Sequence, residues 1–511
     1  MKALAKHLTR LNYGLLIIAS LYLAACDSPV SDAVRFGLAS APISLDPRFA
    51  TDAASSRINR LLYQRLVDFD EQFRPIPALA EWRQLTPFSF RFQLRDSVQR
   101  LFENGKKLSA VDVKATYDFI LDKKNASPHR GSVANIDHIQ VVDENTIDFK
   151  LKKPDPLFPA HLVIGIVPAM GIDKEQGLNN RSMGSGAFRF VAWPSNDHLI
   201  IERRRDKLRI EFIHVQDATV RVLKLLRGEI DILQNDLPRE LVHYLERQNA
   251  IQVKHRAGSN FSYLGFNMKD PALTDIRVRQ AIAHAIDRHS LIRYLLGGKT
   301  QVANALLSPE HWAGITHTSG YVFNPSLARR LLFEAGYSDK KPLVLEYKTT
   351  NDPFRIRIAT IIQQQLGEVG IKVKLLSFDW ATFYGDIKAG RFQLYTLSWV
   401  GIKSPDIFRY VFHSESLPPQ GANRGQYANE EVDQLIDKAE SAIDPQRRAA
   451  YYRQLQQLLL QDLPFVPLWY EEHFYAANRE ISGYQMALDG NYDGLKAIMK
   501  TSHQQPANQI E

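Results

Sequence analysis

A chain of 511 residues with a single cysteine, Cys26, cannot hold an internal disulfide. Long runs of one charge sign are also missing. The densest, Arg203-Arg204-Arg205 with Lys207, has no interleaved aromatics, so it reads as a solvated strand end and no nucleic-acid partner is expected. Apart from Leu11 to Leu23, which is too short to read as a spanning helix, no sustained apolar stretch occurs. Familiar enzyme signatures fail. Gly297-Gly298-Lys299-Thr300 looks like the tail of a phosphate-binding loop, but Arg293 stands where the pattern needs glycine. His284 and His289 do not share a helix face, so they form no zinc pair of the HExxH kind. No catalytic residue, metal or cofactor is expected, and there are no internal repeats or low-complexity linkers.

What is present is ordinary for a globular protein: 45% hydrophobic and 23% charged residues, in a length suited to about two to four domains. The formal charge is +8; Lys2, Lys6 and Arg10 supply three positive charges to the acid-free residues 1–25, which leaves +5 for the remainder. That excess suits an anionic ligand or a nearby anionic bilayer without identifying either. The cationic start, the apolar run and Leu23-Ala24-Ala25-Cys26 together resemble a bacterial lipobox. The resemblance implies that residues 1–25 are a signal peptide, that the Cys26 thiol takes lipid, and that residues 26–33 are a tether. Asp27 then resembles the signal for retention at the periplasmic face of the inner membrane; in a Gram-positive cell the place would be the outer cell surface.

The most informative stretch is Asn260 to Gly298. Phe261, Tyr263 and Phe266 read as a strand, with Gly265 allowing close backbone approach. Val278, Ala281, Ile282, Ala285, Ile286 and Ile292 then recur at helical spacing, with Asp275 as N-cap, Gly297 and Gly298 as the stop, and Arg277, Arg279, Asp287 and Arg288 on the polar face. Tyr263-Leu264-Gly265-Phe266-Asn267, followed by the helix opening at Asp275, closely resembles the extracellular solute-binding proteins of the peptide/nickel transport family. The likeness continues through Leu45-Asp46-Pro47, Leu61 to Val67, Phe102 to Val113, Gly184 to Phe188, Gly228 to Ile232 and Pro464 to Trp469.

This resemblance implies a two-lobed α/β fold of the type II periplasmic-binding-protein kind, with an extra subdomain in the first lobe. Residues 34–47, 181–264 and 470–511 would form the first-lobe core, 48–180 the satellite subdomain and 265–469 the second lobe. Alternating patterns in residues 325–461 predict a parallel strand pair around a helix from Asp352-Pro353 to Gly370, and a long helix from Asp444-Pro445. The implied function is that of a monomeric lipoprotein that closes on a peptide or other small molecule and delivers it to an ABC permease complex in the inner membrane. Rival readings are a ligand sensor of the same fold, a binder of an anionic compound or metal complex, and a cell-envelope hydrolase.

Ligand contacts are expected where the lobes meet. In peptide-binding relatives the carboxylate that takes the ligand ammonium follows the tryptophan that matches Trp399, and the matching residue here is Ile402. Trp399 and Gly401 remain candidates by the same resemblance, Asp406 as a displaced acid, and Lys403 and Arg424 as anion-binding cations beside Arg409. Asn260, Phe261 and Tyr263 lie on the crossing strand. Alternation puts Phe261 and Tyr263 on one side and Asn260 and Ser262 on the other, so only one pair faces ligand. Ser40, in the loop after the first strand, completes the set.

Overall fold

The computed structural model describes residues 33–169, 183–316, 318, 320–419 and 421–501. Residues 1–32, with Cys26 and the expected signal peptide, lie outside the described residues, as do 170–182 of the expected satellite and the tail 502–511.

One mixed sheet runs through both lobes. From edge to edge its strands are Ile371–Phe378, Leu343–Thr350, Leu394–Trp399, Ile251–Phe266, Phe465–Asn478, Ile232–Gln234, Val34–Leu38, Arg209–His214, His198–Arg203 and Phe188–Ser195. The pair Leu343–Thr350 and Ile371–Phe378 is parallel around the helix Pro353–Glu368, as the alternating pattern predicts. Two strands are shared between lobes. Ile251–Phe266 and Phe465–Asn478 run antiparallel, and their register breaks between Ala257 and Phe261. Beyond the break, Phe261–Phe266 pair with Leu394–Trp399 of the second lobe. The crossing therefore lies at the break, earlier in the chain than the expected step between 264 and 265. Gly258 sits in the break because the strands touch there: a Cβ would lie 2.3 Å from the Glu471 carbonyl oxygen.

Each lobe has its own apolar interior. The first packs Phe36, Phe212 and Tyr492 against the helix Ala53–Leu62 through Ile58, Leu61 and Leu62. That helix falls within the expected satellite range, but its buried face belongs to the first-lobe core. The satellite is the four-stranded sheet Ala80–Thr86, Ser89–Leu94, Thr146–Leu151 and Ile136–Val141, covered by the helix Ala110–Leu121. In the second lobe, one face of the sheet packs the helices Ile276–Ala285, Pro325–Glu334 and Pro353–Glu368, and the other packs Ile407–Phe412, Glu430–Ser441 and Pro445–Asp462. Side chains of Asp275, Asn324, Asp352, Asn429 and Asp444 cap five of these helix starts, which is why so many were legible locally.

The expected helix from Asp275 to Gly297 is broken. Ile276–Ala285 ends at Ile286, which is extended, and Asp287 caps a new turn by accepting from the Ser290 N–H at 2.9 Å. Arg279 and Arg288, expected on a polar face, are buried. Arg279 donates to the carbonyls of Leu273, Thr274, Asp462 and Leu463, and so closes the C-terminus of the helix Pro445–Asp462. Arg288 donates to the carbonyls of Ala303, Tyr321 and Pro467. Arg203, expected at a solvated strand end, is likewise buried on the carbonyls of Leu495, Lys496 and Ile498. A buried guanidinium is tolerated where its rigid donors all find oxygen atoms.

Candidate functional site

The crossing strands bring polar side chains to the meeting point of the lobes. Alternation along Phe465–Asn478 turns Tyr470 into the second-lobe core and Glu471 to the opposite side of the sheet. Ser262, on the antiparallel neighbour, and Ser398, directly across from it, turn to the same side. Glu471 accepts from the hydroxyls of Ser262 at 3.0 Å and Ser398 at 2.7 Å and from the Asn260 amide at 3.3 Å. Asn260 in turn accepts from the Gly401 N–H at 3.1 Å, which ties the cluster to the loop after Trp399. Arg355, at the start of the helix Pro353–Glu368, stands 3.5 Å from Glu471. Burial works to raise the Glu471 pKa, but Arg355 and the hydrogen bonds from Ser398, Ser262 and Asn260 outweigh it and hold the carboxyl below its ordinary range. The next acid down the strand, Glu472, points the other way to Arg239 and His255.

Of the crossing-strand candidates, Asn260 belongs to this cluster, whereas Phe261 and Tyr263 are packed in the second-lobe core. The strand pleat decides between the two pairs: Phe261 packs edge-on to Phe465, and Tyr263 stacks on Trp399 with ring centroids 6.5 Å apart. Trp399 thus packs, partly buried, against the second-lobe core. Ile402 is 8% exposed in the same core and offers no polar group. Gly401 and Ser40 are exposed, on the two lobes respectively.

The three cations divide. Arg409 pairs with Asp437 and Glu440. Lys403 reaches across to the first lobe, 2.5 Å from Asp489 and over the Phe69 ring. Arg424 is nearly buried, and its partners are phenols and rings: it donates to the hydroxyls of Tyr263 at 3.3 Å and Tyr384 at 3.1 Å and lies 4.7 Å from the Trp399 ring centre. A void of about 30 Å³ beside it is lined by Tyr395, Phe412 and Phe465 among others, too small for a solute.

Further contacts join the lobes. Asp406 meets His161 of the satellite at 3.3 Å, and His161 also meets Asp155 at 3.2 Å. Burial alone would lower the His161 pKa; Asp406 and Asp155 outweigh it and lift it to about 9. Burial also pushes Asp406 up, although His161 draws it down, and raises nearby Glu440 to about 7 despite Arg409. The Trp312 N–H donates to the Gln72 carbonyl at 3.0 Å, and His311 stacks on Phe73. In the first lobe, burial raises the Asp236 pKa, Arg57 and Arg221 oppose that, and Glu471 adds to it.

Sequence reasoning missed Glu471, Arg355, Asp489 and His161. A signal existed for the first: Glu471-Glu472 interrupts an otherwise apolar strand, and ionisable groups inside such a strand need partners. Among the described residues, no group of His, Cys, Asp and Glu side chains is arranged to hold a metal ion, and no helix is long and apolar enough to cross a membrane.

Comparison with known proteins gives concordant results. The profile of the bacterial extracellular solute-binding proteins, family 5 (middle region), matches residues 74–416. Oligopeptide-binding protein AppA of Bacillus subtilis is 25% identical over 477 residues, covering 87% of this chain and 87% of its own length. Heme-binding protein A of Haemophilus influenzae is 26% identical over 541 residues, covering 94% of this chain and 98% of its own. Among solved structures, the ABC transporter substrate binding protein CtaP of Listeria monocytogenes superposes with a TM-score of 0.82 over 92% of this chain and 100% of that one, at 23% identity, a likeness of fold.

Proposed function

Because the chain belongs to the bacterial extracellular solute-binding proteins of family 5, we propose that it captures a peptide or peptide-like solute between its two lobes and delivers it to an ABC permease. The observation that carries this reading is the pair of shared strands, Ile251–Phe266 and Phe465–Asn478, which meet in a polar cluster at the crossing. Two strands with a register break make a hinge, and side chains from both lobes surround it. The ligand surface is formed by Asn260, Ser262, Ser398, Gly401 and Glu471, with Ser40 on the opposite lobe. Lys403 and Asp406 serve closure through Asp489 and His161, and Arg424 stiffens the packing around Trp399. Binding and release involve no covalent step. The protein works as a monomer outside the cytoplasm, held to the membrane by lipid on Cys26.

A second reading, a non-peptide solute, is favoured by the burial of Ile402, which leaves no carboxylate at the position where peptide-binding relatives carry one. Native mass spectrometry of the full chain, purified without denaturation, tests all of this together. Mass lost on denaturation is bound solute: a ladder of peptide masses supports the main reading, and a single non-peptide mass supports the second. Mass that survives denaturation and maps to Cys26 is the lipid; an unmodified Cys26 refutes the anchor.

A further inference from the structure

The basic run Arg203-Arg204-Arg205 with Lys207 takes no part in the crossing. It borders an open hollow of about 570 Å³ between the first-lobe core and the satellite, and Arg189 and Lys496 line the same hollow. Val34 pairs with Ile210, and Arg209 with Glu202, so these residues gather where the strand Val34–Leu38 begins. The crossing lies past the other end, because Ile232–Gln234 runs parallel to Val34–Leu38 and on toward Glu471. Six cations line the hollow, and among the described residues no carboxylate does. Three acids beside it are shared out: Glu202 serves Arg189 and Lys207, Asp206 serves Arg203 and Arg205, and Asp493 serves Lys496. Arg204 has no ion-pair partner among the described residues. One of its amino groups donates to the Gly184 carbonyl at 2.8 Å, while its Nε is buried with no partner. Burial lowers the Arg204 pKa; Glu103 opposes this and Arg189 adds to it. The Ser185 hydroxyl, on the same hollow, is also buried without a partner. A buried donor left unmatched costs free energy that a ligand oxygen atom restores.

We propose that this hollow is a second binding site, distinct from the solute cleft, and that it takes a phosphate group held by Arg204 and Ser185. A guanidinium presents a planar fork of donors that matches phosphate oxygen atoms, and a hydroxyl adds a further donor. A tetrahedral phosphate accepts from several directions, which suits cations that come from the strand Phe188–Ser195, the turn after Arg203 and Lys496. Six cations against three carboxylates leave positive charge in excess, and an anion between Arg189 and Arg204 relieves their mutual repulsion. The group belongs either to a soluble phosphate compound or to a lipid headgroup, since Val34 starts its strand at this end of the lobe, a short way along the chain from Cys26.

The full chain, in non-ionic detergent and a chloride buffer free of phosphate, is titrated in a calorimeter with inorganic phosphate and, separately, with dihexanoyl phosphatidylglycerol. Wild type is expected to give a heat that saturates at one probe per chain. Saturation by inorganic phosphate alone supports the proposal with a soluble ligand, and saturation by the phosphatidylglycerol supports it with a headgroup. Arg204→Gln should weaken binding of the saturating probe about tenfold. Ser185→Ala removes only a hydroxyl that has no partner in the fold, so it stays folded and should weaken the same probe about threefold or more. It decides alone if Arg204→Gln does not fold. Saturation by neither probe overturns the proposal, as does wild-type binding by either folded variant.

Discussion

His161 ties the satellite to the second lobe, and its charge sets a pH dependence that can be worked out. Lifting an imidazole from 6.5 to about 9 corresponds to about 3 kcal/mol, at roughly 1.36 kcal/mol per pH unit. The folded-state pKa is the higher one. The stabilisation is therefore complete below about pH 6.5 and is lost as pH rises through about 9. Glu440 titrates near 7, so the window from pH 7.5 to 10 isolates the histidine. His161→Gln removes the charge but keeps a polar side chain. For a chain of this length the unfolding entropy is about 1 kcal/mol per degree, so about 2–3 kcal/mol is a Tm difference of about 2–3 °C. Differential scanning calorimetry should show the variant lower by that amount at pH 7.5 and level with wild type at pH 10. A difference of the same size at both pH values would refute the reasoning, because it would mean that packing and not charge makes the contact.

Two other perturbations probe the closure contact and the packing around Trp399. Lys403→Met leaves Asp489 without its cation across the cleft; small-angle scattering of the ligand-free protein should show a larger radius of gyration than wild type, and an unchanged radius would show that this ion pair does not hold the lobes. Arg424→Met strips Tyr263 and Tyr384 of a donor and should cost about 1–3 kcal/mol, read as a lower urea midpoint together with altered emission from Trp399.

Local signals carried far in this chain. Asx residues at helix starts, aromatic alternation in Phe261 to Phe266 and the parallel unit around Pro353–Glu368 all rest on backbone rules acting within a few residues. These rules made single elements readable in the amino-acid sequence, whereas the two-lobed order and the crossing were implied only by the family resemblance carried by Tyr263 to Asn267 and the other matched stretches. Side-chain partnership was not readable. Glu471 and Glu472 are neighbours of one type, yet one meets Ser262, Ser398 and Asn260 and the other Arg239 and His255. Lys403, Arg409 and Arg424 looked alike as loop cations, yet one crosses the cleft, one pairs within its lobe and one lies among aromatic rings. The helix after Asp275 kept a helical pattern through Ile292 and still broke at Ile286, and just past the break Arg288 donates to carbonyls of distant segments. Periodicity records which face of an element is covered. What covers it comes from segments far along the chain, and only the packed structure brings those together.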